Sequence, residues 1–174
     1  MQRSLVMTVL GEDRPGLVDS LSSVVTEFGG NWLESRMSRL AGQFAGIVHI
    51  AVPSDREHPL ALALRNLDAQ GLKIVVHSGS AESTVPPQAL SNLEIVGQDR
   101  PGIVRQISHA LAAFGVNVEE LQTECSSAAM SGETLFKAQA RLRIPESCDV
   151  AALRKELEKI AADLIVEIAL ETSP

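Results

Sequence analysis

The chain has 174 residues, of which 45% are hydrophobic, 21% charged and 3% aromatic, and its formal net charge is −7. That composition excludes a disordered chain and a disulfide scaffold, and the length allows one domain or two small ones. The acidic balance argues against a DNA- or RNA-binding face, which needs clustered Lys and Arg. With no Tyr and a single Trp, Trp32, there is no base-stacking platform either. No apolar run approaches the roughly 20 residues of a membrane span. Met1 leads straight into a strand-like segment and not into a signal peptide, so the expected compartment is the cytoplasm.

In chain order, a β-rich run at residues 4–10 precedes the segment Gly11-Glu12-Asp13-Arg14-Pro15-Gly16-Leu17-Val18. Apolar residues then recur at Leu17, Val18, Leu21, Val24, Val25 and Phe28, the spacing of a helix buried along one face. Pro15 suits the first helical position, where a missing N–H does no harm. Gly29 suits the turn that ends the helix. Two strands are predicted at residues 32–40 and 44–52, joined by a hairpin turn at Ala41-Gly42-Gln43. A second helix over 60–70 and a last strand over 72–77 complete the series. Residues 78–87 are polar and rich in Gly, Ser and Pro, which reads as a linker.

The series then repeats. Gly97-Gln98-Asp99-Arg100-Pro101-Gly102-Ile103-Val104 restates the first motif at an offset of 86, and the same offset carries Phe28-Gly29 onto Phe114-Gly115 and Asn31 onto Asn117. The matching elements are strands at 90–96, 116–126 and 135–144, a helix over 150–162 and a strand over 164–170. The offset grows from 86 to 92 between Pro53 and Pro145, which places six extra residues in the hairpin connection around 127–132. The predicted class is α+β: two ferredoxin-like βαββαβ modules in tandem, at 1–77 and 88–174, with the linker at 78–87.

A strand ending in Gly-x-Asp-Arg-Pro-Gly, an amphipathic helix, then Phe-Gly-x-Asn entering a second strand resembles the ACT domain family of small-molecule-sensing regulatory modules. The resemblance covers nearly the whole chain, twice. It implies ligands held between this turn and the second strand, at an interface between two modules, and it implies modules that pair within the chain or across a homodimer. A physical reason for the motif stands beside it. A Gly-containing turn at a helix start leaves backbone N–H groups facing outward with the positive end of the helix dipole behind them, which suits a carboxylate. Asp13 or Asp99 would take the ammonium group of the same amino acid, and the amide of Asn31 or Asn117 would bridge to it.

The candidate ligand-binding residues are therefore Asp13, Arg14, Pro15, Gly16, Leu17 and Asn31, with Asp99, Arg100, Pro101, Gly102, Ile103 and Asn117 in the second copy. Arg14 and Arg100 also read as solvated or salt-bridged, and Leu17 and Ile103 as steric limits on the ligand's side chain. One departure stands out: Gly11 and Gly97 occupy a position where some amino-acid-binding relatives carry a side chain that touches the ligand. Pro, Gly and Asp in such a turn are also explained without any ligand.

The remaining chemistry-bearing residues are scattered. His49, His58, His77 and His109 lie near no second His, Cys or paired acid in sequence. Glu119-Glu120 and the Lys155 to Lys159 segment read as solvated faces. Cys125 and Cys148 form no CxxC and no zinc spacing and read as free thiols. Nucleophile-elbow, P-loop and HExxH patterns are absent, so the expectation is a non-enzyme without metal or cofactor. The function expected is sensing of a small amino acid, glycine or a similar one, coupled to contact with a transcription factor instead of DNA. The alternative is a ligand-free interaction module or the regulatory subunit of a metabolic enzyme.

Overall fold

A computed structural model describes residues 1–78, 90–127 and 134–172. The chain divides into two compact units, Met1–Thr84 and Val85–Pro174. In the first, β1 (Gln2–Glu12), α1 (Leu17–Glu27), β2 (Asn31–Leu40), β3 (Gln43–Pro53), α2 (Glu57–Asn66) and β4 (Leu72–Ser78) form an antiparallel sheet of order β2-β3-β1-β4. In the second, β5 (Ser91–Gln98), α3 (Ile103–Ala113), β6 (Asn117–Ser127), β7 (Thr134–Arg143), α4 (Val150–Leu164) and β8 (Val166–Glu171) repeat the plan as β6-β7-β5-β8. Both are βαββαβ sandwiches with the helices on one face of the sheet.

Alternation along the central strands builds each core. Leu5, Met7 and Val9 of β1 and Val48, Ile50 and Val52 of β3 point to the helix side, where they meet Leu17, Leu21 and Val25 of α1 and Leu60 and Leu64 of α2. Their second-unit counterparts include Leu93, Ile95, Ala138, Ala140 and Leu142 under Ile107, Leu111, Leu153 and Leu157. Burying one such aliphatic side chain contributes about 1.5–3 kcal/mol. Val18 and Val104, predicted inside the helical stripe, are exposed. They follow Leu17 and Ile103 by one residue, a step of about 100° that carries them off the buried line.

Local geometry explains the element ends. Gly29 donates to Thr26 O and Gly30 to Val25 O, with Gly29 at φ 69°, and Gly115 and Val116 repeat both bonds in the second unit. These are complete Schellman caps, as the glycine reading expects. Ala41 and Gly42, at φ 49° and 79°, make a two-residue hairpin turn between the paired Leu40 and Gln43. Pro15 is not the first helical residue: α1 begins at Leu17, because Gly16 at φ 90° is its left-handed N-cap. The predicted second helix ends early at Asn66, and Leu67–Gln70 tightens into a 3-10 turn. Leu164 belongs to α4 and not to the last strand, since the chain turns at Ile165 with φ 57°. Most of the predicted linker, 79–87, and most of the lengthened connection, 128–132, lie outside the described residues.

Candidate functional site

Each motif joins the end of a central strand to the start of a helix. In the first unit the Asp13 N–H donates to Gly42 O, which ties the turn to the β2–β3 hairpin, and Ser20 N–H closes the first helical turn on Gly16 O. In the second, Asp99 N–H donates to Thr134 O and Gln106 N–H to Gly102 O. Gly16 and Gly102 sit at φ 90° and 98°, and neither N-cap glycine supplies a side chain to cap its helix. The leading N–H groups of α1 and α3 thus lack a helical partner.

The glycines before the turn have a packing role. A Cβ on Gly11 would stand 2.6 Å from the Gly71 carbonyl oxygen, and one on Gly97 would stand 2.8 Å from Val166 Cα. No side chain fits there, so the absent ligand contact at these positions follows from the close approach of β4 and β8. Leu17 and Ile103 are core residues, so what they can offer a ligand is the backbone N–H. Pro15, Gly16, Pro101 and Gly102 are exposed.

The two turns differ in charge. Arg39 Nε lies 2.6 Å from Asp13 Oδ2, and Arg14 Nη2 donates to Gln70 O at 2.5 Å. Arg39 is opposite Phe44 in its hairpin, and Cys125 is opposite Phe136 in the other, so Cys125 holds the place of Arg39 in the second unit. Asp99 has no ion pair among the described residues, and Arg100 donates to Gln98 Oε1 at 3.2 Å. Within the first helical turn, α1 carries Asp19 and α3 carries Arg105 in the matching position. An acid there already satisfies the helix dipole, whereas a guanidinium adds to its positive end. The ion pair with Arg39 has no local sequence signal; only the hairpin register brings the two together.

The asparagines lie elsewhere in each unit. Asn31 pairs with Ala51, eight residues along β3 from Gln43, which adjoins the Asp13 turn. At the rise of a strand that is about 27 Å. Asn117, opposite Arg143, stands about 30 Å from the Asp99 turn by the same reckoning. Asn117 Nδ2 donates to Glu119 Oε1 at 2.6 Å, and Arg143 Nη2 holds that carboxylate at 3.1 Å. A ligand touching both a turn and an Asn must take them from two modules. Among the described residues no group of three His, Cys, Asp or Glu is placed to hold a metal, and no helix is long and apolar enough to cross a membrane.

The sequence matches the ACT domain over residues 3–77 and again over 93–171. It is 25% identical to the glycine cleavage system transcriptional repressor of Escherichia coli, over 94% of this chain and 86% of that protein. It is 23% identical to the phosphoserine phosphatase SerB2 of Mycobacterium tuberculosis, over 97% of this chain but only 40% of that enzyme. A crystal structure of a Galdieria sulphuraria protein of unknown function superposes with a TM-score of 0.84 at 30% identity, covering all of both chains. Another, provisionally named a glycine cleavage system transcriptional repressor, gives 0.73 at 19% identity over 99% of this chain and 98% of that one, and shares the fold. The chain belongs to the ACT domain family and carries two copies of that domain in tandem.

Proposed function

We propose that the protein is a regulatory ACT protein which senses a small amino acid, glycine or a close analogue, and acts by contacting a transcription factor and not DNA. The observation that carries the reading is the second turn. The α3 start is uncapped, Arg105 stands in its first turn, and the Asp99 carboxylate adjoins it without an ion-pair partner among the described residues. Uncapped N–H groups and a cation would hold an α-carboxylate, and Asp99 would hold the ammonium group of the same molecule. Kinship with the glycine cleavage repressor supports a role in controlling transcription. The net charge of −7 supports an indirect one. A non-enzymatic role fits as well, since SerB2 is matched over only part of its length.

Coupling would follow from population shift: a ligand gripped by two modules favours one arrangement of them and so changes the surface a partner meets. The second reading, a ligand-free interaction module or enzyme subunit, is favoured by the first turn, whose acid is already engaged by Arg39. Calorimetric titration with glycine, alanine and serine separates the two. Heat of binding in the wild type that vanishes in Asp99→Ala supports the sensor. Silence toward all three supports the interaction module. Salt-sensitive binding of the purified protein to promoter DNA would defeat the indirect mechanism.

A further inference from the structure

The second unit carries an apolar groove between α3 and the edge strand β6. Val104 and Leu111 form its helical wall, Val118 and Leu121 its strand wall, and Ala138 and Ala140 of β7 its floor. Val104, Val118 and Leu121 are 44%, 38% and 52% exposed. Among the described residues that line the groove, Ser108 alone is polar, and its hydroxyl donates to Arg105 O at 3.1 Å. The space between the walls is about 30 Å3. One water-sized group needs roughly 10–15 Å3, so the groove takes about two.

The first unit fills the equivalent place. Trp32 stands where the second unit has Val118, opposite Ile50 as Val118 is opposite Leu142, and Met37 stands for Thr123. Trp32 and Met37 both pack against the first core. Val48, fully buried, takes the place of Ala140. The open groove thus falls in the unit whose motif acid, Asp99, has no ion pair among the described residues.

The groove also adjoins the second turn. Val104 is the second residue of α3, and Gln106 is the first whose N–H closes a helical turn, on Gly102 O. The Val104 N–H is therefore one of those facing the helix start, while its side chain lines the groove. Helical side chains lean toward the N-terminus, which brings the near end of the groove beside those N–H groups. From Val104 it runs to Leu111, about 10 Å along the helix. We propose that the groove is the specificity pocket of the second turn and holds the aliphatic side chain of the bound amino acid, favouring alanine and its longer homologues over glycine. The proposal rests on the reading of that turn as an amino-acid site. With the α-carboxylate on the N–H groups, a short side chain lies back along α3 against Val104 and Leu121. An aliphatic group there buries apolar surface on both sides, whereas a hydroxyl loses water without gaining a partner.

Calorimetric titration of the full chain with glycine, alanine, α-aminobutyrate and valine tests the proposal, with serine as the polar isostere of α-aminobutyrate. Kd is expected to fall about fourfold for each carbon added from glycine to valine, the factor that burying one methylene supplies. Serine is expected to bind more weakly than α-aminobutyrate. Val118→Trp and Ala140→Val, which copy the first unit, are each checked for native circular dichroism and are expected to level the series. Should one variant fail to fold, the other decides. Glycine binding as tightly as valine overturns the proposal and leaves the amino-acid reading of the turn intact. A gradient that survives in the folded variants overturns it in the same way. No heat with any of the five ligands overturns both the proposal and that reading.

Discussion

Arg39 Nε stands 2.6 Å from the carboxylate of Asp13, and the place of Arg39 is taken in the second unit by Cys125. Two copies of one motif thereby differ in how their acid is engaged. In the first, the motif's acid is bound to its own hairpin. In the second, it is exposed and has no ion pair among the described residues.

The ion pair is exposed on its Arg side, so its contribution to stability is small. Arg39→Ala should lower stability by no more than about 1 kcal/mol, and added salt should reduce the difference. Chemical denaturation at low and high salt measures it. The reverse exchange, Cys125→Arg, should set a guanidinium against Asp99 and suppress amino-acid binding while leaving the melt of the unliganded protein nearly unchanged.

Gly11→Ala and Gly97→Ala should each destabilise the fold by about 1–3 kcal/mol. The added methyl group would meet the Gly71 carbonyl oxygen at 2.6 Å or Val166 Cα at 2.8 Å, backbone atoms that cannot swing aside. Urea unfolding reads the loss. Gly42, which has no atom within 4 Å of a built Cβ but sits at φ 79°, should lose less on the same change, since only backbone strain opposes it.

The two thiols should react at different rates. Cys125 is exposed, whereas Cys148 packs against the second core, where burial first and the Asp149 charge second push its thiol above the ordinary value. Alkylation near neutral pH should give one adduct by mass spectrometry, at Cys125. Because the unfolded chain would release the Cys148 proton first, this group's contribution to stability falls as pH rises past the ordinary thiol value of about 8.5.

Capping of α4 gives a further check. Asp149 Oδ1 accepts from Ala152 N–H at 2.9 Å, so Asp149→Ala should cost about 1 kcal/mol and Asp149→Asn much less. The same pair of variants separates the cap from the charge that acts on Cys148, since both remove the charge and only one removes the cap.

The repeat, the βαββαβ order and the Schellman glycines were legible because each rests on local periodicity or on a residue with one conformational use. Element ends were less so. Pro15 reads as a helix start, yet the left-handed Gly16 after it delays the helix, and a β-branched Ile165 gives no warning that it will turn at φ 57°. The geometry of the candidate site was half legible. Its turn residues follow from the motif, but the Asp13–Arg39 pair spans 26 positions and appears only when the hairpin is folded. The distance between Asp13 and Asn31 was implicit, because an 11-residue helix separates the two positions and carries them to opposite ends of one unit.

The claim that the second turn receives a small amino acid is tested most directly by a thermal melt of the wild type, Asp13→Ala and Asp99→Ala in saturating glycine, alanine and serine. A ligand at about 100 times its Kd adds roughly 2.7 kcal/mol, a rise of several degrees in Tm for a chain of this size. The account predicts that rise for at least one of the three in the wild type and in Asp13→Ala, and its loss in Asp99→Ala. An unmoved wild-type melt, or a shift that persists in Asp99→Ala, would contradict it.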